Sequence, residues 1–389
     1  LKNKYLKNPT IENKNSYTKQ KNFCTNLVKR EKKSYYNDLD VRIFENNKKF
    51  WDRVKPLFST KIKVKENIRL NEGGKIISDK KEIAEILNDY YIESVENLDV
   101  ERNVESEPIT KNSDKIDKIL DKYKNHPSIL KIKTNVKTDE KFKFIDITPD
   151  SMFKKIISLD AKKGCMKNDI PTKLLLGTND IVSKHLSIIY NNAITLEEFP
   201  QSLKTADVTP LSKGGEKDSK KNYRPVSLTP ILSKVFEKDM YEQILQYSKK
   251  FLSQFVFGYR AKHNSELCLV VMIEMWKKAL DEHKVAGAVL TDLSKAFDCI
   301  PHDLLIAKLH AYGFDKSSLN LVLSYLSDRT QRVKVNGIYS RKRKLSVPQG
   351  SILGPLLFNL FMNDIFYFVE ESKLANYADD TTIYTSKDG

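Results

Sequence analysis

Three aspartates carry the chemistry that this chain could perform. Asp379 and Asp380 are adjacent, between Lys373-Leu-Ala-Asn-Tyr377 and Thr381-Thr-Ile-Tyr384. The short apolar and β-branched runs on either side predict a β-hairpin with the acids at its tip. Neighbours on a strand point to opposite faces, but a tight turn lets both carboxylates lean towards one spot. Holding two like charges together is costly unless a cation neutralises them. Alone, such a pair reads as a solvated turn. Asp292 changes that reading. It follows Val285 to Leu290, which reads as a buried strand, and an acid at the end of such a strand must face water or a metal. With the two strands as neighbours in one sheet, three carboxylates could converge on two hard cations. Mg²⁺, with Mn²⁺ as its substitute, takes carboxylate and phosphate oxygens. Two such ions about 3.5–4 Å apart stabilise in-line displacement at phosphorus, the arrangement that nucleotidyl transfer requires.

Other residue types fit the same chemistry. Lys213 ends a probable strand beside Gly214-Gly215, and Arg224 is fixed before Pro225. A lysine point charge and an arginine fork together suit a triphosphate, although each alone reads as a surface cation. In Pro348-Gln-Gly-Ser-Ile-Leu-Gly-Pro355, Gly350 permits close backbone approach to a ligand, and Gln349 is placed to contact a base or sugar.

These residues need a scaffold, and the composition provides one. The chain has 389 residues, 40% hydrophobic and 30% charged, enough for two or three globular domains. It starts at Leu1 and stops soon after the acid pair, which reads as a fragment cut at both ends. No signal peptide is seen, and the longest apolar run, Ile352 to Met362, is broken by Gly354, Pro355 and Asn359 and too short for a bilayer, so no membrane role is expected. The four cysteines lack metal-ligand spacing and fit a reducing compartment. Of the net charge of +16, residues 1–65 hold +12, from 18 Lys/Arg and 6 Asp/Glu. Such a basic arm suits a polyanion through phosphate contacts, with Lys48, Lys49 and Arg53 as candidate contacts.

Along the chain, residues 1–47 predict helix or disorder. Asp79 to Val95 predicts an amphipathic helix with Asp79 as its cap. Residues 97–140 read as a polar linker or mobile insertion. Thr148-Pro149 opens a further helix. Asp180 to Ala193 follows, with Ile181, Ile188 and Ile189 as its apolar face and His185 at the core edge. Ser233 to Gln246 and His263 to Asp281 predict helices, the latter with Met272, Met275 and Trp276 in the core. Phe255 to Arg260 reads as a short aromatic strand or turn.

From about Phe199 to Tyr384 the chain resembles the reverse transcriptase domain of non-LTR (LINE-type) retrotransposons, nearest the jockey-like branch. The matching pieces are Leu203-Lys-Thr-Ala-Asp-Val-Thr-Pro-Leu-Ser-Lys213, Asn222-Tyr-Arg-Pro-Val-Ser-Leu228, Asp292-Leu-Ser-Lys-Ala-Phe-Asp298, Ser324-Tyr-Leu-Ser-Asp-Arg329, Val347-Pro-Gln-Gly-Ser-Ile-Leu-Gly-Pro-Leu-Leu-Phe358 and Tyr377-Ala-Asp-Asp380, in the family's order and approximate spacing. A weaker match from Phe50 to Tyr91 resembles the region such proteins carry between endonuclease and polymerase.

The resemblance implies an α+β right-hand polymerase fold with fingers and a ferredoxin-like palm, truncated before the thumb and preceded by a helical basic extension. Residues 1–65 would be that extension and 66–145 a helical segment and polar linker. Residues 146–283 would be the fingers region and 284–389 an incomplete palm. It implies Asp292, Asp379 and Asp380 as catalytic ligands of two Mg²⁺ ions. Lys213 and Arg224 would hold the triphosphate, Phe297 would exclude a ribose 2′-hydroxyl, and Gln349 and Gly350 would line the nucleotide pocket. Arg329 joins the arm's residues as a nucleic-acid contact. The implied reaction is attack of a DNA primer's 3′-hydroxyl on a dNTP, copying an RNA template, in a nuclear protein that also occurs in cytoplasmic ribonucleoprotein. Ser346, Cys299 and the glycine-free loop ending at Asp169 depart from the family's pattern without touching the acids. The alternative is a truncated, inactive remnant that binds nucleic acid. A group II intron or telomerase-type enzyme fits the wording of the motifs less well.

Overall fold

The computed structural model describes residues 5–6, 8–37, 68–96, 112–161, 166, 169–293, 296, 299–345, 350–370 and 372–388. It divides into a unit of residues 1–66 and a compact unit of residues 67–389. In the first, helix α1 (Ile11–Asn37) is basic, with Phe23 and Val28 exposed. Lys48, Lys49 and Arg53 lie outside the described residues.

The compact unit mixes helices and strands in the α+β manner. It opens with a hairpin, β1 (Leu70–Glu72) and β2 (Lys75–Ile77), turned by Gly73 and Gly74 with positive φ. Helix α2 (Lys80–Glu96) follows, and Asp79 caps it by accepting the Glu82 amide at 2.8 Å. Leu70, Ile77, Ile83, Leu87 and Tyr91 pack with Val208, Tyr223, Val333 and Val335 from the larger sheet described below. Arg341 and Arg343 both pair with Asp89 of α2, at 2.9 and 2.6 Å.

Residues 112–135 are not the linker expected from their polarity. They form α3 (Asn112–Tyr123) and α4 (Pro127–Asn135). Ile116, Ile119, Tyr123, Ile129 and Ile132 are buried in the main core. The apolar positions repeat at three and four residues, and the lysines between them hide the stripe in a simple reading of composition. Residues 97–111 lie outside the described residues.

Thr148 caps α5 (Pro149–Ile157) as its sequence predicts, accepting the Ser151 amide at 3.2 Å. The short α6 (Thr172–Gly177) leads into α7 (Asn179–Thr195). Here the expected face is reversed. Ile181, Ile188 and Ile189 are 50–65% exposed, and His185 is exposed with its ring against the Ile181 carbonyl. The buried face is Leu186, Tyr190, Ala193 and Ile194 with Ser183 and Ser187. Small hydroxyl side chains allow close helix contact, and the Tyr190 ring stacks on Phe236 at 4.5 Å, so shape outweighed hydropathy.

Among the described residues, five strands form the larger sheet. β3 (Thr205–Ser212) pairs antiparallel with β4 (Tyr223–Leu228) and parallel with β6 (Arg329–Val335). The short β7 (Ile338–Tyr339) and β8 (Arg343–Leu345) both pair with β6. Helix α8 (Ile231–Ser248) follows β4, and Asp169 accepts the Ile231 amide at its start (2.9 Å). Helices α10 (His302–Ala311), α11 (Lys316–Leu326) and α12 (Gly354–Met362) complete the main core, with Leu305, Tyr312, Leu319, Tyr325 and Phe358 almost fully buried. Each such apolar side chain contributes about 1.5–3 kcal/mol by leaving water.

The second sheet has the order β5-β10-β9: β5 (Lys284–Thr291), β10 (Asp380–Asp388) and β9 (Lys373–Tyr377). Helix α9 (Ser265–Asp281), capped by Asn264, covers it with Cys268 and Met272 against Ala375 and Tyr384. Met275 and Trp276 pack beside them, as the sequence predicts. Strand β5 is not buried: Val285, Val289 and Leu290 are 62–76% exposed. Its apolar run identified a strand, but β5 lies at the end of the three-strand order and one of its edges carries no partner among the described residues.

Candidate active site

The site is built on the β5-β10-β9 sheet. Thr381 pairs with Thr291 across β10 and β5, and the Thr291 hydroxyl donates to the Thr381 carbonyl at 3.1 Å. Asp292 follows Thr291 directly and Asp380 precedes Thr381, so the two acids flank the last pair of that antiparallel register. Across β10 and β9, Asp380 pairs with Tyr377 and closes a two-residue turn of Ala378 and Asp379. The acids therefore stand at the end of one sheet, Asp292 and Asp380 exposed and Asp379 half-buried.

The turn is held from below. Ala378 has φ +60°, which costs a non-glycine residue about 1–2 kcal/mol. Asn376, 2% exposed, offsets this by donating to the Ala378 carbonyl (2.9 Å) and to the Thr381 hydroxyl (2.8 Å). Each such bond contributes about 0.5–1.5 kcal/mol. The Asn376 backbone accepts from the Phe257 amide and donates to the Phe255 carbonyl, at 2.8 and 3.0 Å. The aromatic segment at Phe255 is thus a strut under the acid turn. Sequence reasoning found the segment but not its task. Burial, helped by the Asp379 and Tyr377 charges, raises the pKa of the neighbouring Tyr259 phenol.

The two cations stand on one hairpin of the other sheet. Arg224 pairs with Leu211 across β3 and β4, and the Lys213 amide donates to the Asn222 carbonyl at 2.8 Å. Both side chains are exposed on one hairpin. Gly350 has φ +120°, and a Cβ there would lie 2.8 Å from the Ser227 carbonyl of β4. Its close approach is to the strand that carries Arg224. Phe297 and Gln349 lie outside the described residues.

The residues after Gly350 are fixed by Glu237, which the sequence did not single out. This carboxylate is fully buried on α8. It accepts the Ser233 hydroxyl (2.7 Å), the Tyr325 phenol (3.2 Å) and the amides of Ile352 (2.8 Å) and Leu353 (3.4 Å). An acidic side chain four residues after a serine in the first turn of α8 was the available signal.

Arg329 is corrected. It is fully buried, with its guanidinium over the Tyr325 ring and one Nη1 bond to the Tyr325 carbonyl (3.0 Å). A side chain enclosed in this way offers no surface to a polyanion. The Ser-Asp-Arg wording placed it after a helix, and solvent exposure does not follow from that position.

The donor set suits a hard cation: three carboxylate residues, Asp292 and Asp380 exposed and Asp379 half-buried, at one end of a sheet. Among the described residues, no group of three or more His, Cys, Asp or Glu is gathered closely enough to hold a metal ion. The register thus brings two of the acids to one sheet end, with the third on the adjoining turn, without a tight cluster.

Comparison with known proteins gives this arrangement its class. Residues 213–388 match the family described as reverse transcriptase (RNA-dependent DNA polymerase), a stretch that contains both cations, the acid pair and Asp292. This stretch is a reverse transcriptase domain, a class whose members generally use divalent metal ions. Three relatives come from Drosophila melanogaster. A probable RNA-directed DNA polymerase from transposon BS is 32% identical over 52% of this chain and 24% of its own length. The RNA-directed DNA polymerase from mobile element jockey is 28% identical over 61% of this chain and 27% of its own. A probable RNA-directed DNA polymerase from transposon X-element is 29% identical over 51% and 23%. In sequence this stretch is thus similar to the polymerases of jockey-like, non-LTR mobile elements. The match spans about a quarter of the length of these relatives.

Proposed function

We propose that the chain contributes an RNA-directed DNA polymerase activity, adding dNTPs to a primer 3′-hydroxyl on an RNA template. The observation that carries this is the β5–β10 register, which brings Asp292 to the same sheet end as Asp379 and Asp380. Nothing local in the sequence joins residues so far apart. Asp292, Asp379 and Asp380 would hold Mg²⁺, which supplies charge neutralisation at the transferring phosphate. Lys213 and Arg224 would grip the triphosphate, Phe297 would exclude a 2′-hydroxyl, and Gln349 and Gly350 would border the nucleotide. The β5-β10-β9 sheet would belong to the palm, residues 284–389, and β3 and β4 to the fingers region, residues 146–283. The basic residues 1–65 would add template affinity through phosphates, and the protein would work in the nucleus and in cytoplasmic ribonucleoprotein.

The test is primer extension on a primed RNA template with Mg²⁺ and dNTPs. Extension that is lost in Asp379→Asn while template binding persists supports the reading. Template binding without any nucleotide addition by the unaltered chain would sink it and leave a nucleic-acid-binding remnant. The arm is tested by the salt slope of template binding with and without residues 1–65. An unchanged slope removes its role.

A further inference from the structure

Gly258 is a glycine for reasons of space rather than backbone conformation. It is absent from the residues with positive φ, so an L-residue could adopt its backbone. What forbids a side chain is the neighbour. A Cβ on Gly258 would lie 2.8 Å from the Ala378 Cα and closer still to the Ala378 amide nitrogen. Both are backbone atoms, which cannot swing aside as the end of a flexible side chain can.

The two partners of this contact have little freedom to give way. On one side, Arg260 donates to the carbonyls of Ser253 (2.7 Å) and Val256 (3.1 Å), tying the segment into a closed loop. Buried Asn359 of α12 donates to the Gly258 carbonyl at 2.9 Å. On the other side, Ala378 is already in the left-handed region and is pinned by Asn376. Because Ala378 and Asp379 are the turn, any displacement of Ala378 moves the carboxylates that follow it. The same helix that anchors Gly258 starts at Gly354, just after the loop held by Glu237, so one helix references both the nucleotide loop and the acid turn.

We infer that Gly258 is a positioning residue for the acid turn: its missing side chain lets the strut press against Ala378 and holds Asp379 and Asp380 at the sheet end where Asp292 also stands. The inference rests on the reading of these acids as metal ligands. Gly287 supplies an internal control. It also has a backbone open to any residue, it lies on β5 of the same sheet, and a Cβ there meets nothing within 4 Å.

The experiment compares the unaltered chain with Gly258→Ala, Gly287→Ala, Asn359→Ala and Asp379→Asn. Mn²⁺ binding is followed by electron paramagnetic resonance, and the Mg²⁺ midpoint of primer extension is measured beside it. Thermal melting and template binding report folding. Gly258→Ala is expected to weaken Mn²⁺ binding about 10–100-fold, the range for lost support around metal ligands, and to raise the Mg²⁺ midpoint. Asn359→Ala should shift both in the same direction by less, and Gly287→Ala should match the unaltered chain. A folded Gly258→Ala that binds Mn²⁺ normally overturns the inference. Should that variant not fold, a folded Asn359→Ala with unaltered Mn²⁺ binding overturns it instead. If the unaltered chain binds no Mn²⁺ in a manner that Asp379→Asn removes, the metal reading falls first and this inference falls with it.

Discussion

The Thr291 hydroxyl donates to the carbonyl of Thr381 at 3.1 Å, joining two strands that lie far apart in the chain. The bond sits on the last pair of the β5–β10 register, and Asp292 and Asp380 are the residues next to that pair. It fixes register at the point where register matters most, since a slip of one residue would send the acids to opposite faces. Asp292→Asn keeps the shape and removes the charge. Primer extension should fall more than about 100-fold with template affinity unchanged, and chelation of Mg²⁺ should abolish the activity of the unaltered chain.

Lys213 and Arg224 share one hairpin but differ as donors. Arg224→Lys loses the bidentate fork while keeping charge. The KM for dNTP should rise about tenfold in steady-state primer extension, with kcat changed less. Lys213→Met should act in the same direction. A fall in kcat alone would place these cations elsewhere in the cycle.

Glu237 accepts four hydrogen bonds in full burial. Glu237→Gln puts an amide donor against groups that themselves donate. Stability in denaturant unfolding should drop by about 1–3 kcal/mol, the cost of leaving buried donors unmet. Because Ile352 and Leu353 would be released next to Gly350, the KM for dNTP should rise as well.

Burial raises the phenol pKa of Tyr91, Tyr190, Tyr312 and Tyr325. An unfolded tyrosine ionises near pH 10. Above that pH the unfolded chain sheds protons that the folded chain keeps. Stability from these four groups is complete below about pH 10 and falls as pH rises towards the folded values. Alkaline titration should show tyrosinate absorbance from these rings appearing together with loss of helical circular dichroism. Gradual ionisation of all the tyrosines before unfolding would contradict their burial.

Arg329 offers a simple contrast with the basic arm. A side chain that neutralised a phosphate would contribute about one unit to the salt slope of template binding. Arg329→Met should leave that slope unchanged, because the guanidinium is enclosed against Tyr325. A shallower slope would return it to the surface.

Much of this protein is legible in local sequence. The caps at Asp79 and Thr148 are short-range hydrogen bonds, and they form where serine-like or acidic side chains precede helical runs. The tip at Asp379 and Asp380 follows from two flanking strands, and setting Lys213 and Arg224 on neighbouring strands needs only a hairpin. The face of α7 was misread because packing shape, here the Tyr190–Phe236 stack, is invisible to hydropathy. Residues 112–135 were misread because a narrow apolar stripe is diluted by lysines.

By itself, then, the sequence determined which groups could do chemistry: three carboxylates, two cations and a glycine loop, in a set order. Only the tertiary structure decided which of them meet and what holds them. The meeting of Asp292 and Asp380 at one sheet end, the press of Gly258 on Ala378 and the grip of Glu237 on Ile352 and Leu353 all join residues far apart in the chain. Periodicity and turn propensity report what a residue does to its neighbours in sequence. Backbone contact across a sheet or beneath a turn depends on how the whole core closes, and that carries no local signature.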